Sequence, residues 1–477
     1  MKILHTFCSS VLFAAVVTAS TGIHAQEGSY DPSWNGNGRR LVDFSSESDN
    51  LRDMLVTPDN KVVVAGSCGP EFADGQPCVA RLDSSGALDT EFGSSGTGMV
   101  RLEEFAGVQA SFLAGIARDS DGALWLAGTI RTALTQASVT RLSEDGKTVL
   151  GTLVFQFNNL LASPYSIVQA TAAAPGGGIV VAGTMRRDDA NHRSVAVARL
   201  LADPDSGEIA LDTTFGNHGV VAIQYGKEVT DVLVLPDGRI LIAGLATASG
   251  GRAPAFVMRL LANGIIDDPF GTTAGGLTQL PLCAGAYSGY APRMAIDTRG
   301  RIAIGYTATY RAADLTELSP EICVNRLLKD GQQDPGFGGT TGPGRIAGPV
   351  RVNIGADQYL DSIAVGGDDK IIVGGVYVGG SACPLECFMV ARLNKTPTNT
   401  AVLDLSFGGA GAGVGQYDSG SDTETALAIA IGNGGLMVAG YSQRAFSEPN
   451  IPSRFGVAKV QLGSAAFDWP IFADGFD

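Results

Sequence analysis

The chain has 477 residues, of which 64 are glycine, 33 are Lys or Arg and 48 are Asp or Glu, so its net charge is −15. Such an acidic chain lacks the clustered positive charge that phosphate-backbone binding requires, and we expect neither nucleic acid nor an anionic membrane as a partner. The length would suit two or three ordinary domains, but no long Pro- or Ser-rich linker divides it.

The first 25 residues have the pattern of a secretory leader. Lys2 supplies positive charge, residues 11–19 form an apolar stretch too short to cross a bilayer, and Ala25 offers a small residue for cleavage. We therefore predict a signal peptide over 1–25 and export to the periplasm, the extracellular space or the cell surface. No later segment reaches 18 uninterrupted apolar residues, so membrane insertion is not expected.

A phrase in which a turn is followed by an apolar, β-branched run and a glycine occurs seven times. The copies occupy 57–66, 119–128, 174–183, 235–244, 297–305, 367–375 and 432–440. Their closing glycines are Gly66, Gly128, Gly183, Gly244, Gly305, Gly375 and Gly440. The mean spacing of about 62 residues is too long for a simple hairpin repeat and is typical of stacked supersecondary units.

Each unit has the pattern of a small antiparallel sheet. In the fourth copy the turn Pro236-Asp237-Gly238 joins two β-branched runs, residues 256–260 follow as a third strand, and a fourth is expected near Ile266. One such sheet cannot bury both of its faces, so the copies must stack on one another. The sequence predicts an all-β, seven-bladed β-propeller over residues 26–462, with 463–477 as a C-terminal tail.

The two ends of the chain predict how the ring closes. Most units continue into the phrase Leu-Asp-x-x-Phe-Gly, but the last copy lacks it. The segment after the leader contains a related phrase, Asp31-Pro-Ser-Trp34. We predict that the N- and C-terminal segments pair within one blade, which would leave the ring without free sheet edges.

These phrases resemble the bacterial delta-60 repeat. The run from Asp237 to Gly244 and the segment from Arg81 to Gly93 carry the resemblance, which covers about residues 30–462. It implies a secreted or surface β-propeller and no defined reaction, so no catalytic residue is carried over. The final residues, Ile471 to Asp477, resemble a short tail of exported Gram-negative proteins, which implies sorting; an aromatic strap on the last blade is the alternative.

Six cysteines follow the leader, and an even count in an exported chain favours disulfides. Their repeat positions predict three pairs: Cys68–Cys78, Cys283–Cys323 and Cys383–Cys387. Metal binding is not expected, because the spacing is not that of paired C-x-x-C ligands.

A basic residue recurs at one position of every unit. The seven residues are Arg81, Arg141, Arg199, Arg259, Arg326, Arg392 and Lys459. They would form either a cationic ring that binds an anion or a repeated ion pair with the acid after the next turn, such as Asp89, Asp267 or Asp334. Repetition in every unit favours the architectural interpretation.

Two further groups of residues are candidate sites. Asp203, Asp205 and Glu208 alternate around a glycine as in a calcium loop, although the twelve-residue pattern is incomplete and a polar hairpin turn is the alternative. His192 and His218 fall in different units, within predicted surface loops. We therefore expect no catalytic residue and no cofactor, with calcium as the one alternative.

Apparent insertions all follow the second strand of a unit, which places them on one face of the ring. They span 67–77, 184–194, 245–254, 306–321, 376–388 and 441–454. Because loops on a rigid scaffold commonly bind partners, we predict a monomeric, non-catalytic scaffold that binds a protein or a glycan. The alternatives are a structural surface protein and a channel hydrolase or lyase with acids such as Asp231, Glu321 and Asp361; an acid cluster with shifted pKa values would favour the enzyme.

Overall fold

The computed structural model describes residues 26–44, 48–69, 75–102, 110–158, 165–186, 192–203, 206–246, 254–311, 318–338, 347–355, 357–380, 383–398, 401–408, 414–417, 423–432, 434–443 and 453–463. Every regular element in these ranges is a β-strand, so none of them holds a helix suited to crossing a membrane. The predicted leader, and the predicted tail from residue 464 onward, lie outside the described residues.

Within the described residues, thirty strands form seven blades. Strand β1 (Arg39–Val42) belongs to the last of them. Blade 1 contains β2 (Ser48–Val56), β3 (Val62–Gly69), β4 (Gln76–Leu82) and β5 (Met99–Arg101). Blade 2 contains β6 (Ala110–Arg118), β7 (Leu124–Arg131), β8 (Thr135–Leu142) and β9 (Val149–Phe155). Blade 3 contains β10 (Ser166–Ala173), β11 (Ile179–Arg186), β12 (Arg193–Ala202), β13 (Ile209–Leu211) and β14 (Val220–Ile223).

The remaining blades repeat this order. Blade 4 contains β15 (Glu228–Val234), β16 (Ile240–Leu245), β17 (Ala255–Leu260) and β18 (Leu277–Gln279). Blade 5 contains β19 (Ser288–Ile296), β20 (Ile302–Arg311), β21 (Leu318–Leu327) and β22 (Val350–Val352). Blade 6 contains β23 (Asp357–Val365), β24 (Ile371–Gly380), β25 (Cys383–Thr398), β26 (Ala401–Leu403) and β27 (Val414–Tyr417). Blade 7 contains β28 (Thr423–Gly432), β29 (Gly435–Gln443) and β30 (Arg454–Val460), completed by β1.

The predicted seven-bladed propeller is confirmed. The first strand of each blade contacts the first strand of the next around the whole ring, so these seven strands surround the axis. Alternation along each middle strand explains why the blades must stack. In β16, the side chains of Ile240 and Ile242 pack with blade 3, whereas those of Leu241 and Ala243 pack with blade 5. All four are fully buried, and each large side chain contributes about 1.5–3 kcal/mol of transfer free energy.

The outermost strand explains the role of the Leu-Asp-x-x-Phe-Gly phrase. In blade 4 a bridge between Leu260 and Ile266 forms at the first residue of the phrase, and β18 pairs with β17 after the phrase. The prediction of a fourth strand near Ile266 was therefore wrong, because only a single bridge forms there and the strand itself is β18. Blade 2 lacks the phrase, and its outer strand β9 is continuous over seven residues.

Ring closure occurs as predicted. Strand β1 pairs antiparallel with β30, and Asp31 lies 3.0 Å from the Lys459 ammonium. Trp34 is buried in the place that phenylalanine occupies in other blades, and the amide of Asn35 donates to the Ser85 carbonyl of blade 1 at 2.7 Å. The N-terminal segment therefore completes the last blade and docks it onto the first.

Two predicted disulfides are confirmed. Cys68–Cys78 joins β3 to β4, and Cys283–Cys323 ties the connection between blades 4 and 5 to β21. Cys387 is also disulfide-bonded, but the side chain of its predicted partner Cys383 lies outside the described residues. Disulfides of this kind indicate an oxidising compartment.

Two of the predicted insertions are largely strand. Most of 306–321 belongs to a lengthened hairpin of β20 and β21, and most of 376–388 belongs to β24 and β25. The sequence predicts loops in both places, because the repeated phrase ends at its closing glycine. Hydrogen bonding instead continues beyond that glycine.

The prediction of Gly305 as the closing glycine of blade 5 was also wrong. The pairing register aligns Gly305 with Ala243 of blade 4, so Tyr306 takes the glycine position in blade 5. Gly289 makes room for it, because a Cβ atom there would lie 2.8 Å from the Tyr306 ring. The buried Tyr306 hydroxyl donates to the Pro281 carbonyl at 2.6 Å.

Candidate functional site

The repeated basic residues form contacts between blades. Arg259 donates from Nε to Asp267 at 2.7 Å, and its guanidinium carbon lies 4.4 Å from the Phe270 ring centroid. Its Nη1 atom donates to the Lys329 carbonyl of the next blade at 2.5 Å. The same ion pair and ring contact recur at Arg81, Arg199, Arg326 and Arg392. This ring is structural, because each positive charge is already neutralised by its own aspartate.

Blade 2 uses another acid. Arg141 pairs at 2.8 Å with Asp119, which lies in the turn between β6 and β7. The Arg141 guanidinium also lies over the Trp125 ring. The indole Nε1 atom donates to the same carboxylate at 2.8 Å. The predicted partner, an acid after the next turn, was wrong here because β9 replaces the phrase that would supply it.

Burial acts to raise the pKa of Asp404, but hydrogen bonds from Lys370 and Ser406, together with the charge of Arg392, lower it to about 2. This acid therefore stays ionised beside Arg392 down to strongly acidic pH.

The acids of the predicted calcium loop and the two histidines do not come together in the structure. In the turn at 203–208, Asp203 accepts from the amide and hydroxyl of Ser206 at 2.7 and 2.9 Å, while Asp205 lies outside the described residues. His192 and His218 are both exposed and both belong to blade 3, so the prediction that they fall in different units was wrong, because the outer strand β14 that follows His218 returns to the same sheet. No group of three or more His, Cys, Asp or Glu within the described ranges is placed to hold a metal, and calcium stays a prediction.

A β-bulge interrupts the innermost strand of every blade at the same register. The residues that follow it are Asp53, Gly115, Ala170, Asp231, Arg293, Ser362 and Ala428. A bulge leaves a residue unpaired and re-aims the side chains beside it. Seven bulges around one axis therefore direct a ring of side chains toward the channel and the neighbouring inner strand.

Several of these side chains hold neighbouring blades together. Asp53 accepts from the Ile116 amide of blade 2 at 2.9 Å, and Asp231 accepts from the Met294 amide of blade 5 at 2.7 Å. Arg293 donates to the carbonyl of Asp361 at 2.8 Å and also to that of Thr230. Arg293 therefore links blades 4, 5 and 6 at the axis.

Three acids at this level have raised pKa values. Burial raises the pKa of Asp53, Asp231 and Asp361 to about 6 each, against the opposing charge of Arg293. The charge of Asp231 on blade 4 adds to the rise at Asp53 on blade 1. Because blades 1 and 4 are not neighbours in the ring, this interaction acts across the axis.

Of these three acids, Asp361 has the fewest hydrogen bonds from the backbone to its carboxylate within the described residues. Asp53 and Asp231 each accept two backbone amides, whereas no hydrogen bond to the Asp361 carboxylate is found within the described ranges. Its backbone carbonyl, not its carboxylate, binds Arg293. A carboxylic acid with a raised pKa and free oxygens has the properties of a general acid.

One open end of the channel carries aromatic side chains. Phe112, Tyr290 and Tyr359 occupy equivalent positions on β6, β19 and β23, each opposite the residue after the closing-glycine position. Phe112 is 44% and Tyr359 is 37% exposed. Burial, followed by the nearby Tyr359, Asp357 and Asp361, raises the pKa of Tyr290 to about 12, so its hydroxyl stays protonated.

Polar side chains share this level. Asn50 on β2 and Glu228 on β15 occupy the same register as the three rings. The insertions leave the ring at the same end, because the end of each second strand pairs with the start of the first. We call the set Asn50, Phe112, Glu228, Tyr290 and Tyr359 the aromatic mouth.

Of the acids predicted for the axis, Asp231 and Asp361 lie there and Glu321 does not. Glu321 is on β21, the third strand of blade 5, where it pairs with Arg351. Sequence reasoning missed Asp53 and Arg293. Counting back five residues from the hairpin turn would have placed both in one column with Asp231.

Comparisons with known proteins support the fold. Residues 57–92 and 235–270 match the family model described as "Domain of unknown function (DUF5122) beta-propeller". No curated protein sequence matches the chain significantly.

Solved structures match over most of the chain, but at low similarity. They include virginiamycin B lyase from Staphylococcus aureus (10% identity, 88% of this chain, 99% of that chain, TM-score 0.40). They also include an α-L-arabinanase from Penicillium chrysogenum (12% identity, 91% of this chain, 98% of that chain, TM-score 0.39). A third is polysaccharide lyase Uly1 (9% identity, 92% of this chain, 94% of that chain, TM-score 0.46). Identities and scores this low carry no argument about function.

Proposed function

We propose a function for this chain on the premise that it is a β-propeller built from delta-60-like repeats: it is an exported protein that binds a glycan over the aromatic mouth. The observation that carries the proposal is the shared register of Phe112, Tyr290 and Tyr359 at one end of the channel. Repeat architecture does not require these rings, because the equivalent positions in blades 3 and 7 hold Ile167 and Thr425.

The chemistry of the mouth suits a sugar. Aromatic rings offer flat apolar surfaces on which the C–H faces of a pyranose ring stack, and tyrosine adds a hydroxyl at the edge. Asn50 and Glu228 supply hydrogen-bond partners for sugar hydroxyls. A few polar groups among apolar walls are typical of small-molecule sites. The acidic mouth and the net charge of −15 favour neutral or cationic glycans over anionic ones.

The proposal is tested by measuring glycan affinity by calorimetry, after a glycan array has identified a ligand. Tyr359→Ala and Phe112→Ala should each weaken binding by about tenfold or more, because each removes a stacking surface worth over 1 kcal/mol. Leu405→Ala, on an exposed turn of blade 6, is the control and should bind as the unaltered chain does. Failure of the array, or unchanged affinity in both aromatic variants, would refute the proposal.

A second candidate is glycan cleavage in the channel. The observation that favours it is Asp361, whose pKa of about 6 and uncommitted carboxylate lie beside Arg293 and near Tyr290. Asp361→Asn should abolish release of reducing ends or unsaturated sugars while leaving mouth affinity intact. If the unaltered chain releases neither product from the glycan that it binds, the binding proposal alone remains.

A further inference from the structure

An aromatic ring packs against the closing-glycine position in several blades. A Cβ atom on the glycine would lie 2.7, 3.1 and 3.0 Å from a phenylalanine ring in three of them: Gly66 with Phe455, Gly183 with Phe157 and Gly244 with Phe256. In blade 5 the ring belongs to Tyr306, which takes the glycine position itself. Protein interiors are close-packed, so these rings fill the room that the missing side chain leaves.

Blade 2 differs at this position. The three atoms nearest to a Cβ atom on Gly128 all belong to the backbone of Phe112 and Leu113. The residue directly opposite Gly128 is Ser138, whereas Phe256 stands opposite the glycine in blade 4. Serine is too small to replace a ring, and a cavity therefore remains beside Gly128.

The cavity is small, mainly apolar and adjacent to the aromatic mouth. Its walls include Pro77 of blade 1 and both Leu113 and Leu126 of blade 2. About 10 Å³ is free, which is room for one group of the size of a water or a methyl. Phe112 also lines the cavity and is 44% exposed, so the cavity adjoins one of the rings of the mouth.

Ser138 gives the cavity a polar group. The residue is 4% exposed, and its hydroxyl has no hydrogen-bond partner within the described residues. Two other hydroxyls line the cavity and are engaged: that of Thr129 accepts from the Val168 amide at 3.0 Å, and that of Thr140 lies 3.2 Å from the Thr152 hydroxyl. Buried hydroxyls are nearly always hydrogen-bonded, so the Ser138 hydroxyl is available to a ligand.

We propose that this cavity, called here the acetyl socket and bounded by Phe112, Leu113, Leu126, Gly128 and Ser138, receives an acetyl group of the glycan at the aromatic mouth. The inference rests on the proposed binding of a glycan there. An acetyl group matches both properties of the socket, because its methyl suits the apolar walls and its carbonyl accepts from the hydroxyl. A methyl alone would leave that hydroxyl unpaired, and a hydroxyl alone would face mainly apolar walls.

The first test compares glycans with and without acetyl groups by calorimetry. Triacetylchitotriose and its deacetylated form test an N-acetyl group, and acetylated xylotetraose and its deacetylated form test an O-acetyl group. The xylotetraose pair is uncharged, so it excludes the attraction of an amine to a chain of net charge −15. The acetylated member of at least one pair should bind about tenfold more tightly or better, and the pair that discriminates identifies the linkage.

The second test changes the socket. Ser138→Ala removes the donor, so it should weaken binding of the acetylated glycan about fivefold and leave the deacetylated one unchanged. Ser138→Thr keeps the hydroxyl but adds a methyl that occupies the free space, so the ratio of the two affinities should fall to near one. Melting temperatures should show that both variants fold. Leu405→Ala, on the exposed turn of blade 6, is the control and should keep the full preference.

The outcomes separate the socket from the mouth. Equal affinity for both members of each pair, or a preference that persists in both Ser138 variants, overturns the acetyl socket and leaves glycan binding at the mouth in place. If none of the four glycans binds, the socket is also overturned, and the glycan array then decides separately whether the mouth binds any glycan.

Discussion

At the scale of single residues, the repeated arginine combines three contacts that the sequence shows only as spacing. In blade 4 a single side chain binds the acid of its own unit, stacks on its own phenylalanine and reaches a carbonyl of blade 5. Gly331, in the blade 5 turn that it reaches, has room for no side chain: a Cβ atom there would lie 2.8 Å from both Phe270 and Gly271. Arginine, phenylalanine and glycine are therefore repeated together because each completes the contact of the others.

Arg259→Ala should lower the free energy of unfolding by about 3 kcal/mol, the low end of the range for breaking a buried ion pair, because the buried Asp267 carboxylate keeps only Arg239, 3.9 Å away. Lys147→Ala, which removes a surface ion pair in blade 2, is the control. Its partner Asp145 is half exposed, so the loss should stay below about 1 kcal/mol. Chemical denaturation of the two variants gives the comparison, and equal losses would contradict the assigned role of Arg259.

Asp361→Asn should stabilise the protein at pH 8 by about 1–2 kcal/mol, a value reduced for the partial solvent access of this side chain. The folded-state pKa of about 6 lies above the unfolded value, so the folded chain binds more protons between about pH 4 and 6. Ionisation of Asp361 therefore removes stability as pH rises through 6.

The gain from Asp361→Asn should disappear below about pH 4, where the carboxyl is protonated in both states. Denaturation midpoints at pH 4, 6 and 8 give the measurement. A gain that does not change with pH would show that burial of the charge is not its cause.

At the scale of elements, strands and turns follow closely from the sequence, whereas the bulges do not. Pro236-Asp237-Gly238 identifies its hairpin because Gly238 adopts a φ of 80°, which glycine tolerates without strain. The bulge at Thr230 has no such signal, because no glycine or proline lies within two residues of it. The position of Asp231 near the axis depends on such a bulge, so the sequence alone does not distinguish Asp231 from the other acids.

The aromatic mouth can be predicted in part from the sequence. Asn50, Phe112, Glu228, Tyr290 and Tyr359 all lie eight residues ahead of the turn residue of their own units, so alignment on the turn places them in one column. Alignment alone does not show that the column lies at the open end of the channel. That conclusion requires the pairing of the second strands with the first.

Removal of the two confirmed disulfides should have unequal effects. Cys283 and Cys323 are 40 residues apart, and Cys68 and Cys78 are 10 apart. The entropy of closing a loop grows with its length, so the double alanine variant of the longer pair should lose about 1 kcal/mol more stability than that of the shorter pair. Thermal unfolding of both variants checks the order, and a larger loss for the shorter pair would contradict it.

At the scale of the whole molecule, the ring depends on a blade built from both ends of the chain. Gly28 donates to the Gln461 carbonyl at 2.8 Å, and Gly463 lies against Glu27. The two ends are therefore close enough for a short linker to join 463 to 26. Sequence alone predicted this closure, because the phrase missing from the last copy is present after the leader.

A circular permutant with that linker, opened between residues 44 and 48, would make every blade from consecutive strands and remove the shared blade. We expect it to fold but to unfold roughly ten times faster, because no covalent connection would then join blade 7 to blade 1. A second permutant, opened at 247–253 inside blade 4, keeps one blade shared by both ends and should unfold as slowly as the unaltered chain. Stopped-flow unfolding compares them, and equal rates would show that the shared blade is dispensable.

The pairing of β1 with β30 also sets an order of events during synthesis. Arg39 leaves the ribosome early, but its partner Ala458 is made about 420 residues later. Strand β1 must therefore wait, unpaired, while six blades form behind it. During that interval the chain exposes one strand with no neighbour, so the slowest step of its maturation should be the return of the first strand made to the last.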